Sequence, residues 1–463
     1  MRTLSLLTLA VTAAVAGCGL KDADPAHIYD GPAQPQVDPP LPDVGQLTSS
    51  PAIAGWRWVG LPRTVCRDGS STGIAFQIPT GPDGRPRTDK LLVFMQGGGA
   101  CLNAGCVESL NRSRFSEQAW NQKLCAHLDS CAVDGATTDV DARWRPRTPE
   151  AGPWFGVLDG DPANPFADWT KVYIPYCSGD WYAGLNATPI EIGAGSSRFL
   201  GSQNLQHSLA AMLALVGTDF DKVLVTGNSA GGIGALLNFQ RFADVFGPER
   251  TYLISDAGPL YPDEHVAGCG SARIKNLWRM DRSFPVVDGC PGEDCPWNAD
   301  SWISLRLRWL FDGYARGVAG APHPGSRMAL VVSDRDSYAT ASFFAFANDC
   351  RRLLSPALPT ASQRAAAEAA VVAATDDLVA DVFDHYEGVK AFVVHDTSVH
   401  QWMFGRAWWR ETFIDRETGA TVSLAAWVAA MLDEDPAWGH AHVRAPGAPT
   451  AADMVEAVRE EGR

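Results

Sequence analysis

The chain has 463 residues, 46% of them hydrophobic, with 53 acidic against 38 basic side chains and a formal charge of −15. That length is enough to bury a large core, and the acidic balance argues against nucleic acid and anionic lipid as partners. No stretch beyond the first twenty residues is apolar enough to cross a bilayer as a helix.

The N-terminus reads as an export signal. Met1-Arg2-Thr3 is short and positive, Leu4 to Ala14 is apolar, and Val15-Ala16-Gly17-Cys18 closes the run. The apolar part is too short to span, and it has the pattern of a cleaved signal. Val-Ala-Gly-Cys is also a lipobox pattern, which makes Cys18 the lipid-modified N-terminus, with plain secretory cleavage as the alternative. Residue 19 is Gly, not Asp, which favours outer-membrane attachment. Residues 18–50 then form a stiff, solvated tether rich in proline (Pro25, Pro32, Pro35, Pro39, Pro40, Pro42). Residues 51–445 read as one catalytic domain and 446–463 as a tail. Of eleven cysteines, ten remain after Cys18, an even number that reads as up to five disulfides in an exported chain. Their spacings do not match a zinc site, so no metal and no cofactor is expected.

Further along, Leu91-Leu92-Val93-Phe94-Met95 reads as a strand, followed by Gln96-Gly97-Gly98-Gly99-Ala100-Cys101. Three glycines after an early strand can turn backbone N–H groups toward a developing oxyanion. No Gly-Lys-Ser/Thr follows, which excludes a P-loop. Lys222 to Thr226 reads as a buried strand, Gly227-Asn228-Ser229-Ala230-Gly231 as a turn, and the apolar spacing from Gly232 to Phe239 as a helix. Strand, Gly-x-Ser-x-Gly, helix is the context of a nucleophile elbow. Met328 to Ser333 is another strand, ending in Asp334-Arg335-Asp336. Ala391 to Val394 is a third, ending in His395 and followed closely by His400. Serine, then carboxylate, then histidine is the order of an α/β-hydrolase triad, with two candidates at the second and third places. Asp256, after the strand beyond the elbow, is a third carboxylate. Residues 108–165 and 260–325 read as disulfide-stapled excursions, and 361–387 as a packing helix. The expected fold is α/β-hydrolase-like: a mostly parallel central sheet flanked by helices, with disulfide-rich insertions.

Cys66-Arg67-Asp68-Gly69-Ser70, the glycine loop, Tyr176-Cys177-Ser178-Gly179-Asp180 and Gly227-Asn228-Ser229-Ala230-Gly231-Gly232 stand in an order that resembles the pectin acetylesterases, a family that includes the Notum-type carboxylesterases. The resemblance implies a Ser-Asp-His esterase. It favours Asp336 over Asp334, because Asp336-Ser337-Tyr338 is similar to the family's Asp-Ser-Trp, and His400 over His395, because His400-Gln401-Trp402 is similar to its His-Cys-Gln. Asp256 then corresponds to a structural carboxylate in an Asp-x-Gly turn. One departure is the absence of an aromatic beside the glycines, which leaves family substrate preferences open.

The expectation is therefore an exported serine esterase with Ser229, Asp336 and His400 as triad, and Gly98, Gly99 and Ala230 as oxyanion donors. It acts as a monomer on an acylated carbohydrate or another small ester. The net charge disfavours free pectate. Trp402, Trp408 and Trp409 lie near His400 in sequence, although most tryptophans serve packing. Two alternatives are a Notum-like or lipase-like enzyme for longer acyl chains, and a non-catalytic surface-binding lipoprotein on a hydrolase scaffold.

Overall fold

The computed structural model of the protein describes residues 49, 52–81, 86, 89–102, 113–127, 132–133, 136–137, 155–192, 195–266, 268–280, 283, 303–316, 325–340, 360–405 and 408–446. The signal segment, Cys18 and nearly all of the tether lie outside the described residues. Ser49 already forms an antiparallel bridge with Val59.

One eleven-stranded sheet organises the chain. Its strands are β1 Trp56–Leu61, β2 Thr72–Gln77, β3 Lys90–Met95, β4 Thr170–Ile174, β5 Lys222–Asn228, β6 Thr251–Asp256, β7 Met328–Ser333, β8 Val389–His395, β9 Thr412–Asp415, β10 Thr421–Ser423 and β11 Ala441–Arg444. They lie in the order β1-β2-β4-β3-β5-β6-β7-β8-β11-β9-β10. The seven strands from β4 to β11 in this order pair in parallel. Antiparallel strands close both edges, β1 and β2 on one side and β9 and β10 on the other.

Seven α-helices are present among the described residues: α1 Glu117–His127, α2 Gly201–Val216, α3 Ala230–Phe246, α4 Gly268–Trp278, α5 Ile303–Tyr314, α6 Ala361–Asp377 and α7 Leu424–Leu432. Successive strand residues point to opposite faces. Leu91, Val93, Met95, Val223, Val225, Leu330 and Val332 therefore enter one core, with residues of α2, α3, α4 and α5. Leu92, Phe94, Leu224, Ile254, Val331 and Phe392 enter the other, with residues of α1 and α7. Because both faces are covered, central strands such as β3 and β7 are apolar throughout rather than alternating. The predicted strands at 91–95, 222–226, 328–333 and 391–394 are all present. The helix expected over 361–387 ends at Asp377 and continues as a π-turn, Leu378–Val382, and a 3₁₀ turn, Phe383–His385. The fold is α/β-hydrolase-like.

Cys66, in the loop after β1, is disulfide-bonded to Cys177, just past β4. Cys101 and Cys125 are also disulfide-bonded. The side chains of the other cysteines lie outside the described residues.

Candidate active site

Six neighbouring parallel strands, β4, β3, β5, β6, β7 and β8, deliver side chains or loops at their C-terminal ends, where sheets of this kind keep their sites. Ser229 follows β5 directly and caps α3 at φ 54° and ψ −125°. Such a backbone is costly for a residue with a Cβ, and it lifts the hydroxyl out of the strand-to-helix turn. The turn closes only because its neighbours are small. A Cβ on Gly227 would meet the Gly231 carbonyl, and one on Gly231 would meet the Met95 carbonyl across the adjoining strand.

The glycine loop is held from two sides. Asn228, inside the elbow, accepts the Gly97 N–H at its Oδ1, 2.9 Å away. Tyr176 donates its hydroxyl to the Gly99 carbonyl at 3.0 Å and accepts from the Trp181 N–H at 2.9 Å. Gly97 is thus committed to the elbow. The N–H groups of Gly98 and Gly99 have no acceptor among the described residues. Ala230 opens α3, so its N–H is one of the first-turn donors without an intrahelical partner. Gly99 takes φ 75°, a region that favours glycine.

On the far side of the elbow, Asp336 follows β7 and is fully buried. Its Oδ2 lies 2.6 Å from His400 Nδ1, and its Oδ1 accepts the N–H groups of Tyr338 and Ala339 at 2.8 and 3.0 Å. The Tyr338 ring lies against the imidazole, centroids 4.6 Å apart. Asp334 faces His395 instead, Oδ2 to Nδ1 at 2.9 Å, and the other nitrogen of His395 meets His442 Nδ1 at 3.0 Å. Each carboxylate has its own imidazole. Of the two, only Asp336 pairs with a histidine whose other ring nitrogen has no partner among the described residues.

Asp256 is no ordinary turn residue. Its main-chain carbonyl accepts the Ser229 N–H at 2.7 Å. Its carboxylate accepts the Trp402 N–H at 3.1 Å and the Met403 N–H at 2.9 Å. One buried residue therefore ties the elbow to the loop carrying His400. Burial pushes its carboxyl up to about 7, partly offset by these N–H groups and by the nearby His400. Neither this tie nor the Asn228 contact was anticipated from sequence, although the asparagine inside the elbow motif was there to see. Trp402 donates its indole N–H to Ser333 and sets its ring edge-on to Phe413, while Trp408 is fully buried against Phe166. Both serve packing.

Residues 123–280, which contain the elbow, Tyr176 and Asp256, match the pectinacetylesterase family model. Through that stretch the chain is similar to the pectinacetylesterases. Among relatives, the palmitoleoyl-protein carboxylesterase NOTUM of Drosophila melanogaster is 27% identical over 289 residues, covering 56% of this chain and 38% of that protein. The notum1 protein of Xenopus laevis is 30% identical over 187 residues, covering 39% of this chain and 30% of that protein. Pectin acetylesterase 4 of Arabidopsis thaliana is 26% identical over 197 residues, covering 42% of this chain and 40% of that protein. The chain thus spans less than half the length of these relatives. The crystal structure of the Wnt deacylase Notum from Drosophila aligns over 84% of this chain and 96% of that one, with TM-score 0.49 and 19% identity.

Proposed function

We propose that this protein is a serine carboxylesterase in which Ser229, His400 and Asp336 act as the triad. The observation that carries the reading is the strained elbow serine tied through Asp256 to the loop that holds the Asp336–His400 pair. Ser229 attacks the ester carbonyl while His400 takes its proton, and Asp336 holds the ring in the tautomer that can accept it. Negative charge on the carbonyl oxygen falls toward the N–H groups of Ala230, Gly98 and Gly99. Collapse expels the alcohol, which takes the proton back from His400. Water then attacks the acyl-enzyme with His400 as base, and the carboxylic acid leaves.

Short acyl groups on carbohydrate are the leading substrates, in keeping with the pectinacetylesterase match and with a net charge of −15 that disfavours free polyanionic chains. A longer acyl chain is the second reading. Six of the relatives are named palmitoleoyl-protein carboxylesterases. In addition, Tyr338 and Val399, which flank the dyad, keep 50% and 41% exposure despite their apolar bulk. A chain-length series of p-nitrophenyl esters beside acetylated xylan and pectin separates the two. Highest kcat/KM for acetate supports the first, a maximum at eight or more carbons supports the second, and equal rates for wild type and Ser229→Ala overturn both.

Export and lipid attachment at Cys18 belong to the same proposal. The Cys66–Cys177 bridge supports an oxidising compartment, and among the described residues no helix is long and apolar enough to cross a membrane.

A further inference from the structure

A second histidine–carboxylate pair lies beside the first. His395 ends β8 and is 5% exposed, with Nδ1 on Asp334 Oδ2 at 2.9 Å and Nε2 on His442 Nδ1 of β11 at 3.0 Å. The free oxygen of Asp334 accepts the Asp396 N–H at 2.9 Å. Asp334 and Asp336 share the loop after β7, and His395 and His400 share the segment leaving β8. Every bond between Asp334 and the His395–Asp396 corner therefore also fixes how Asp336 meets His400. Two lesser ties run in parallel, Ser337 N–H to the Ser398 carbonyl at 3.2 Å and Arg335 to Asp396 at 2.8 Å. Asp396 bends the chain at φ 59°, a left-handed conformation that aspartate adopts more readily than most side chains.

The proton count of this cluster is constrained. The carboxylate of Asp334 keeps a proton on His395 Nδ1. Between His395 Nε2 and His442 Nδ1 there is room for one hydrogen, donated by one ring to the bare nitrogen of the other. When both rings are imidazolium, two N–H groups point at each other and the contact is lost. Solvent reaches the pair through a cavity of about 540 Å³ lined by both rings. Asp334 and Arg335 of the β7 loop, Asp376 of α6, Asp396, and Arg416 and Glu417 of the β9–β10 turn line the same cavity. Asp384, ahead of β8, adds its charge, and His440 lies two residues before His442, at the entry to β11. Burial, then the charge of His395, hold His442 below the ordinary histidine range, with Asp376 and Asp384 opposing.

We propose that His395 and His442 are positioning residues which, with Asp334, clamp the His400 loop onto the Asp336 loop, and that a second proton on the imidazole pair releases the clamp. The inference rests on the esterase reading above. Its test is kcat and KM against pH on p-nitrophenyl acetate for wild type, His442→Gln and His442→Leu, with thermal unfolding at each pH. A glutamine carbonyl can accept from His395 and does not titrate. His442→Gln should keep kcat within about threefold at pH 8 and lose the steeper part of the wild-type acid limb. His442→Leu, with no acceptor, should lose about tenfold in kcat at pH 8 with KM little changed. Superimposable acid limbs in wild type and folded His442→Gln, or an effect on KM alone, would overturn the clamp. Should the variants not fold, or the wild type prove inactive, imidazole ¹⁵N resonances of the wild type decide. The His400 signals should move in step with protonation of the pair, and His400 signals indifferent to it would sink the proposal. Hydrolysis undiminished in Ser229→Ala would instead fault the esterase reading and leave that resonance test standing.

Discussion

At the scale of residues, Ser229 gains its reach from a left-handed backbone that Asp256 holds from behind. Ser229→Ala keeps that backbone and should lower kcat by on the order of 10⁴-fold or more while leaving thermal unfolding unchanged. His400→Ala should be as damaging, and Asp336→Asn should cost on the order of 10⁴-fold by favouring the wrong tautomer. Activity above a few per cent in any folded one of these three would remove the triad. Asp256 offers a prediction of another kind. Its folded carboxyl titrates at about 7 against an ordinary 3.8, so the folded state binds the extra proton between those values. The stability this confers is complete below about 3.8 and is lost as pH rises through 7. Asp256→Asn, which still presents a carbonyl to the Trp402 and Met403 N–H groups, should therefore look more favourable relative to wild type at pH 8 than at pH 5. Chemical denaturation at the two pH values checks this, and an identical stability difference at both would show that Asp256 does not titrate there.

At the scale of elements, the central strands were legible because β3, β5, β7 and β8 are buried on both faces and carry continuous apolar runs. The edge strands were not. Trp56–Leu61 alternates irregularly, and Thr421–Ser423 is too short to show a period. The elbow could be read because steric demands put glycines at fixed places around a serine. The choice between Asp336 and Asp334 could not be read from residues alone, since both follow the same strand. Their separation comes from β11, which brings His442 up to His395 and occupies its second nitrogen. The loop between β1 and β2 is joined to the end of β4 by Cys66–Cys177, across 111 residues. Replacing both cysteines by serine should cost about 2–5 kcal/mol. It should also slow catalysis, because Cys177 adjoins the tyrosine that holds Gly99. Unfolding and kcat measured on the same preparation test both effects, and an unchanged kcat would mean that Tyr176 keeps its place without the bridge.

At the scale of the whole molecule, the proposed lipid attachment at Cys18 makes a prediction of location. Cys18→Ser should convert a detergent-extractable protein into an uncleaved precursor or a soluble form, with hydrolysis of a small soluble ester retained. Wild-type protein that is fully soluble, with an unmodified N-terminus elsewhere, would mean simple secretion. The strand order carries a consequence for any such arrangement. The chain enters the sheet at β1, on one edge, and leaves it at β11, eight strands away. At about 4.8 Å per strand that is about 40 Å from one side of the molecule to the other. A label placed at Arg444 therefore sits eight strands from one placed on β1. A fluorophore pair at Trp56 and Arg444 would report the width of the folded sheet as a ruler does, with the strands that carry Ser229, Asp336 and His400 lying between them.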